Sequence, residues 1–436
     1  MRVVLISTYD LGRQPFGLAS PAAWLRADGH EVTTADLSRE PPPLEAVRAA
    51  DWIAFHLPMH TATRAAIPQM QAARALNPGA RICCYGLYAP VNEEMLRGLG
   101  ATHVIGGEFE RALADVIAGR TAVSLPVILD RLPFRTPDRT TLPSLHRYAG
   151  VKRGGDRKVT GYTEASRGCK HLCRHCPIVP VYEGRFRVVP REIVLADIRQ
   201  QVDAGAEHIT FGDPDFLNGP GHALAIAEAL HAEFPDLSYD VTIKVEHLLK
   251  HRGALPVLGR TGCLFVTSAV ESLDDEVLAR LDKGHTRSGF IEALALMRAH
   301  GLPMVPTFVP FTPWTARENY LDLLRAVRDL DLIDSVAPIQ LAIRLLIPAG
   351  SKLLEIADLN AGPFDSAALS YRWDHADPEM DRLCSDLLTL VREADRRGVS
   401  RSEVFGLIWG RAFGKPPDFH LPDRATIPYL TEPWYC

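Results

Sequence analysis

Short apolar runs alternate with amphipathic stretches along the first 120 residues. The runs Arg2–Ser7, His30–Ala35, Trp52–Phe55, Arg81–Tyr85 and His103–Ile105 predict strands. Their near-continuous apolarity suits a sheet covered on both faces. The stretches Ser20–Ala27, Thr63–Leu76 and Glu108–Ile117 predict helices between them. Strand and helix in alternation predict an α/β, doubly wound parallel sheet over residues 1–120. Ligands of such sheets bind beyond the carboxyl ends of the strands. Those ends are Ser7–Gly12, Phe55–His60, Tyr85–Tyr88 and Gly106-Gly107-Glu108.

Residues 121–160 break this rhythm with Pro126, Pro133, Pro137 and Pro143 and predict a linker wrapping between domains. The rhythm returns over residues 161–348. Strands are expected at Gly161–Ala165, His208–Gly212, Ser238–Lys244, Leu264–Ala269, Met304–Val309 and Ser335–Ala342. Helices are expected at Pro190–Ala204, His222–Phe234, Glu246–Val257, Asp274–Ala299 (broken near Gly284) and Ala316–Leu330. Six βα units are too few for a closed eight-stranded barrel and fit a partial one, with its chemistry at the strand carboxyl ends. Residues 349–436 read as helical, with Pro378–Arg397 and Ser402–Phe413, before an irregular tail.

Composition narrows the class. Forty-seven per cent hydrophobic and 23% charged residues describe a globular chain rather than a disordered one. Lys and Arg number 48 against 53 Asp and Glu, a net charge of −5 without a basic block, so a nucleic-acid partner is not expected. No apolar run approaches the roughly 18 residues of a membrane span, and the first residues read as a buried strand rather than a signal peptide. The expected compartment is the cytoplasm, where the eight cysteines would remain thiols.

Three of those cysteines fall close together in Gly168-Cys169-Lys170-His171-Leu172-Cys173-Arg174-His175-Cys176-Pro177, on the loop after the first barrel strand. Cys169, Cys173 and Cys176 could be three of four ligands to a structural zinc, with His171 or His175 as the fourth. They could equally hold a 4Fe–4S cluster with one iron left open. Three buried cysteines acting as small hydrophobes fit poorly with the Lys, Arg and His residues among them. Cys83, Cys84, Cys263 and Cys384 lie in apolar strands or a helix and read as structural.

The C-x3-C-x2-C spacing after the first strand of a βα barrel resembles the radical S-adenosylmethionine (SAM) superfamily, over about Gly161 to Pro348. The residue before the third cysteine is usually aromatic there and is His175 here. The resemblance implies a 4Fe–4S cluster on Cys169, Cys173 and Cys176, with its fourth iron chelated by SAM. One electron then cleaves the sulfonium to give a 5′-deoxyadenosyl radical. It also implies an external electron donor of flavodoxin or ferredoxin type. The family's Gly-Gly-Glu at strand two corresponds to Phe211-Gly212-Asp213-Pro214-Asp215, so Gly212 and Asp213 are expected near SAM. A plain turn is the other reading of this sequence. Ser268-Ala269-Val270-Glu271-Ser272 resembles the Glu-Ser segment of the cobalamin-type subgroup, which makes Glu271 a candidate for the ribose; a helix-start acid is the other reading. Lys244 and Glu246 are expected to face SAM or the substrate, with a surface salt bridge as the other reading, and Gln340 and Arg344 are expected near the barrel mouth.

A doubly wound sheet ahead of such a barrel resembles the cobalamin-binding subgroup, where the corrin lies between the domains. His103-Val104-Ile105-Gly106-Gly107-Glu108 resembles the fifth-strand ending of those domains, and Gly86, Gly106 and Gly107 would let a flat macrocycle approach. The subgroup's Asp-x-His-x-x-Gly loop lacks its histidine here (Tyr9-Asp10-Leu11-Gly12-Arg13), so no axial ligand is expected from it. His56 and His60 lie within reach after strand three. No Gly-x-Gly-x-x-Gly follows strand one, which argues against a dinucleotide site. The end, Trp434-Tyr435-Cys436, resembles a radical SAM family whose tail runs Cys-Sec-Ala-Glu-Pro or Cys-Cys-Ala-Glu-Pro. That resemblance implies a chain continuing past Cys436 and a soft pair that could act in catalysis.

The expectation is therefore a radical SAM enzyme, a transferase acting on a small molecule or peptide, with cobalamin-dependent methylation as the leading reaction. Transfer of another SAM fragment, to carbon or to a soft element such as arsenic or selenium, is the alternative. A non-catalytic iron–sulfur or zinc protein is the reading from a different class.

Overall fold

The computed structural model describes residues 1–120, 126–422 and 428–431. The first sheet contains β1 (Arg2–Ser7), β2 (Glu31–Asp36), β3 (Trp52–His56), β4 (Arg81–Tyr85), β5 (Ala101–Gly107) and β6 (Val127–Ile128), in the order β2-β1-β3-β4-β5-β6 and parallel throughout. Its helices are α1 (Phe16–Ala27), α2 (Leu44–Ala49), α3 (His60–Leu76), α4 (Glu93–Gly98) and α5 (Phe109–Ile117). Strand residues alternate between two cores. Val4, Ile6, Ile53, Phe55, Ile82 and Cys84 meet α2, α3 and α4; Val3, Leu5, Trp52, Ala54, Cys83 and Tyr85 meet α1 and α5. Neighbouring side chains on a strand point to opposite faces, so Cys83 and Cys84 each fill a different core. Burial pushes both thiols up, out of the reactive range.

The expected linker is not wholly a linker, because β6 extends the first sheet into it. Further on, Arg139 ties three segments together. Its guanidinium donates to both Asp197 oxygens (2.7 and 2.9 Å), to Gln14 Oε1 (2.7 Å) and to the Tyr162 carbonyl (2.6 Å). A short hairpin, β7 (Val151–Arg153) and β8 (Asp156–Lys158), completes the connection.

The second sheet is parallel and five-stranded, in the order β15-β14-β13-β12-β9. It consists of β9 (Thr160–Thr163), β12 (His208–Phe211), β13 (Ser238–Thr242), β14 (Cys263–Glu271) and β15 (Met304–Phe308). An antiparallel pair, β10 (Ser166–Gly168) and β11 (Phe186–Val188), sits between β9 and β12, with the one-turn helix α6 (Val179–Tyr182) inside it. Connecting helices are α7 (Arg191–Asp203), α8 (Pro220–Glu233), α9 (Val245–Lys250), α10 (Leu255–Arg260), α11 (Asp275–Arg280), α12 (Arg287–Ala299) and α13 (Arg317–Asp329). The sixth strand expected at Ser335–Ala342 does not form. Pro338–Leu341 make a 3-10 turn instead, and only one bridge, Phe311 to Arg344, marks the sixth place. Pro338 has no N–H to give to a ladder.

One core fills the barrel, from Ile209, Tyr239, Val241 and Val266 out to Phe290 and Tyr320. The same core takes in Met380, Leu387, Phe405 and Trp409 from α14 (Pro378–Arg396) and α15 (Arg401–Phe413), so the C-terminal helices belong to the barrel. Between them and the barrel lie the small strands β16 (Phe364–Asp365) and β17 (Ser370–Tyr371). The last described strand, β18 (Tyr429–Leu430), pairs with β7. No helix among the described residues is long and apolar enough to cross a membrane.

Arg139 is buried, and removing it strands the Asp197 carboxylate. We expect Arg139→Ala to lower unfolding stability by about 3–5 kcal/mol. Urea denaturation measures this, and a loss below about 1 kcal/mol would contradict the role given to this residue.

Candidate functional site

The cysteine loop is built from its neck upward. β10 and β11 clamp the two ends of residues 169–185. Arg167, in β10, is buried under three carboxylates. It donates to Glu110 at 2.6 and 2.9 Å, to Glu164 at 2.7 Å and to Glu108 at 3.4 Å. Glu110 also accepts from Ser20 Oγ (2.6 Å), and Glu108 from Tyr182 (3.1 Å). One guanidinium is shared among three carboxylates, Glu108 and Glu110 buried and Glu164 partly exposed. Burial pushes all three up; the bidentate contact and Ser20 hold Glu110 below its ordinary value, while Glu108 and Glu164 stay above theirs. Next along, Gly168 has φ +70°, and a Cβ there would lie 2.4 Å from the Arg185 carbonyl, so only glycine lets the neck close.

Inside the neck, Asn218 holds the first cysteine. Its Oδ1 accepts from Lys170 N–H (3.2 Å) and lies 3.8 Å from Cys169 Sγ. Arg174 N–H reaches the Leu281 carbonyl (3.0 Å), and Cys176 N–H the Cys173 carbonyl (3.1 Å). Cys169, Cys173 and Cys176 are all free thiols. Burial pushes Cys169 up and Cys176 up to about 12, the latter opposed in part by the Lys283 ammonium.

Both loop histidines are committed elsewhere. His175 Nε2 lies 3.1 Å from Glu271 Oε1, which also accepts from Lys283 Nζ (3.3 Å). Burial pushes Glu271 up, but Lys283 and His175 hold it down at about 2. Glu271 sits at a β-bulge with φ +68°, which turns its carboxylate toward the loop. His171 Nδ1 faces the Lys244 ammonium (3.0 Å) and its Nε2 faces His247 Nε2 (3.2 Å), while His247 Nδ1 is 2.7 Å from Asp215. Burial, Lys244 and His247 push His171 down to about 4. Among the described residues, His171, Asp215 and His247 are the one metal-type trio with ligand atoms within 4.8 Å of one another. The ammonium donating to His171 makes it a hydrogen-bonded cluster rather than a cation site.

The other predicted residues divide. Asp213 is buried behind the loop, accepting from Ala165 N–H (2.9 Å) and Ser166 Oγ (2.5 Å), so it fixes the strand that leads into the cysteines. A Cβ on Gly212 would overlap the Tyr162 hydroxyl at 1.8 Å. Lys244 donates to Glu246 (3.1 Å) as well as to His171. Gln340 does not face the mouth: its Oε1 accepts from Phe308 N–H (3.1 Å) inside the barrel wall. Arg344 is likewise turned away, pairing with Asp381 and stacking 3.5 Å from the Trp373 ring. The glycines at the sheet end are explained by chain packing. A Cβ on Gly86 would meet the Leu57 carbonyl (2.9 Å), on Gly106 the Pro90 ring (2.5 Å), and on Gly107 the Ile128 carbonyl (2.1 Å). His60 Nε2 is engaged with the Ala368 carbonyl at 2.5 Å. Cys436 lies outside the described residues.

Where the two sheets meet, their carboxyl ends enclose a cavity of about 240 Å³. Asp10, Arg13, His56, Gly86 and Gly107 line it from the first sheet, and Tyr162, Glu164, Arg167 and Gly212 from the barrel. The first sheet contributes at β1 and β3, where its strand order reverses, the usual ligand position in such folds. The sequence reading overlooked Arg167, Asn218 and the acids flanking Gly107. The visible signal was an arginine two residues before Cys169 and the run Glu108-Phe109-Glu110.

Residues 163–327 match the family model described as the radical SAM superfamily. The chain is 25% identical over 252 residues to tRNA-2-methylthio-N(6)-dimethylallyladenosine synthase of Chlorobium luteolum, covering 54% of this chain and 53% of that protein. It is 27% identical over 209 residues to the enzyme of the same name from Chlorobaculum tepidum, covering 45% and 43%. The chain thus spans about half the length of the curated relatives it matches. Among solved structures, OxsB, a cobalamin-dependent SAM radical enzyme with aqua-cobalamin bound, aligns with a TM-score of 0.69 at 14% identity, over 91% of this chain and 67% of that one. The radical SAM methyltransferase TsrM from Kitasatospora setae, with tryptophan and a SAM analogue, aligns with a TM-score of 0.63 at 16% identity, over 82% and 76%. These two establish a shared fold.

Burial raises the Asp213 carboxyl to about 7, above its ordinary 3.8, against the donors Ser166 and Ala165. Its contribution to stability is full below about pH 3.8 and is lost as pH rises through about 7. We expect Asp213→Asn to flatten the wild-type fall in urea midpoint between pH 5 and pH 8. Parallel curves for the two proteins would contradict this.

Proposed function

We propose that the chain is a radical SAM enzyme, the family whose model matches residues 163–327, and that Cys169, Cys173 and Cys176 hold a 4Fe–4S cluster with one iron left for SAM. The observation that carries this reading is the set of three free cysteines on one clamped loop, with both loop histidines engaged by other residues. When bound, the cluster supplies the electron that cleaves SAM.

The chain's own residues prepare the site. Arg167 and Gly168 fix the entry to the loop, Asn218 positions its first cysteine, and Asp213 fixes the strand before it. Lys283 places a buried positive charge beside Cys173 and Cys176, which favours the deprotonated thiols a cluster needs. Glu271 orients both Lys283 and His175. Gly212, with Lys244 and Glu271 at neighbouring strand ends, forms the wall proposed for SAM. Gln340 and Arg344 have no part in it.

The cavity between the sheets is proposed as the site of a corrin, with methyl transfer to a small molecule or peptide as the reaction. Three things support this: the position of the cavity over the sheet's reversal point, its shared walls from both sheets, and the fold held in common with cobalamin enzymes. The cavity, about 240 Å³, is smaller than the roughly 300–1,000 Å³ of sites for drug-sized ligands, so only part of such a group would lie within it. His56 lines the cavity from the end of β3, and burial lowers it to about 3, so its ring is neutral. The net charge of −5 gives no support to the tRNA substrate named for the curated relatives.

Anaerobic reconstitution with iron and sulfide should turn the protein brown, and reductant with SAM should release 5′-deoxyadenosine or another SAM fragment. Cys173→Ala should abolish the colour and the cleavage together. Zinc without iron, or survival of both properties in the variant, would overturn the assignment. Corrin absorbance retained through gel filtration tests the cobalamin reading separately.

A further inference from the structure

The outer face of the cysteine loop carries positive charge that nothing in the chain answers. Between Cys169 and Val188 stand Lys170, Arg174, Arg185 and Arg187 against one acid, Glu183. Two of these cations are occupied by backbone carbonyls: Arg174 donates to Arg280 (2.9 Å) and Arg187 to Leu129. Lys170 and Arg185 are exposed and meet no carboxylate among the described residues. Lys250, exposed at the end of α9, meets none either. Exposed arginines elsewhere do find acids, as Arg97 finds Glu93, Arg199 finds Glu233 and Arg411 finds Asp386.

The free cations surround an apolar centre. Leu172 and Val188 are 42% and 43% exposed, two of the eight large apolar side chains left exposed among the described residues. The Lys170 ammonium lies over the Phe186 ring, 4.9 Å from its centre. Val188 shares that face of β11, because side chains alternate along a strand. The turn before Arg185 lies against the start of the loop: a Cβ on Gly184 would meet Leu172 Cδ2 at 3.3 Å and the Lys170 carbonyl at 3.4 Å. On the other flank the His171 ring meets His247 at 4.6 Å and His247 meets His251 at 5.2 Å, which brings Lys250 alongside. Lys170 follows Cys169 and Leu172 precedes Cys173, so anything seated here lies one residue from two of the proposed cluster ligands. The cavity between the sheets is lined by Ile178 and Tyr182 of the same loop and by none of Lys170, Leu172 or Arg185, so a partner on this face leaves it uncovered.

We propose that Lys170, Arg185 and Lys250, around Leu172 and Val188, form the docking face for an acidic one-electron carrier protein. The inference rests on the cluster reading of the cysteine loop, to which it adds the place and the charge of the partner. Each SAM cleavage takes one electron from the cluster, so one must arrive from outside. It leaves the carrier, which is oxidised, and enters the cluster, which is reduced; no bond forms or breaks. A cationic rim attracts an acidic carrier over distance and speeds encounter, while a small apolar centre keeps the complex short-lived. A nucleic acid fits this face less well. Proteins that hold a phosphate backbone make about 6–10 phosphate contacts, and three free cations around two aliphatic side chains do not supply them.

The test uses the full chain, as wild type, Arg185→Glu, Lys250→Glu and both together, with Arg396→Glu, exposed on α14, as the control. Folding is checked by circular dichroism. The probe is a flavodoxin, an acidic protein that carries single electrons on its flavin. Its oxidised form is titrated against the chain before reconstitution, at low salt and at about 0.15 M salt. After reconstitution, the rate at which its hydroquinone bleaches the cluster is compared with the rate given by dithionite. The expected result is wild-type binding that salt weakens, and a loss of about 3- to 10-fold in binding and in flavodoxin rate in each single reversal. The double reversal loses more, and the dithionite rates match wild type throughout. Reversals that bind and react like wild type, an equal loss in Arg396→Glu, or dithionite rates that fall in step with the flavodoxin rates would overturn the inference. Displacement of flavodoxin by an equimolar amount of bulk tRNA would reassign the face to nucleic acid and overturn it too. If the reconstituted chain holds no cluster while the reversals weaken flavodoxin binding, the docking face stands and the cluster reading fails. If a cluster forms and dithionite reduces it, but flavodoxin neither binds nor reduces it, the cluster reading stands and this inference fails.

Discussion

The structure depends on one buried arginine at the seam of two sheets. Arg167 comes from the strand that leads into the cysteine loop, and its partners Glu108 and Glu110 come from the end of β5 and the start of α5. Its third partner, Glu164, ends the first barrel strand. The rings of Phe16, Phe109 and Phe134 surround the guanidinium at 5.3–5.7 Å. Because the contacts are charged, directional and shielded from water, they fix a relative geometry that apolar packing alone would leave looser. The loop proposed to hold inorganic iron therefore inherits its position from the first sheet as well as from the barrel.

This coupling explains why a cavity exists at the seam. Two parallel sheets that present their carboxyl ends to one another bring loops, not helices, into contact. Loops leave gaps, and here the gap is edged by residues that the strands themselves orient. Asp10 follows β1, His56 ends β3, Glu164 follows β9 and Gly212 follows β12. Each belongs to a rigid element by at most a few residues, which suits a site requiring fixed geometry.

Much of the fold was legible because apolar runs and their spacing determine which segments are strands. The run Arg81–Tyr85 is a strand with the expected bounds, and the break at Gly284 separates two helices. The expected strand at Ser335–Ala342 was misread because an apolar run carries no information about donors, and Pro338 lacks one. The three cysteines were legible from spacing. Their supports were not: Asn218 lies 49 residues beyond Cys169, and Lys283 more than 100 beyond it, so only tertiary structure joins them. Arg344 looked like a mouth residue because it follows the sixth unit, but it turns back to hold α14.

The neck made by β10 and β11 has a further consequence. It closes residues 169–185 with backbone bonds that need no metal, and Arg167 and Asn218 hold its entry from buried positions. In proteins whose metal organises the core, loading and folding are one event. Here the cores on either side are complete without the loop. Uptake and loss of the proposed cluster would then be a local equilibrium inside a closed loop, on a scaffold that stays folded through both. The scaffold that would receive the proposed cluster is thus folded before it arrives.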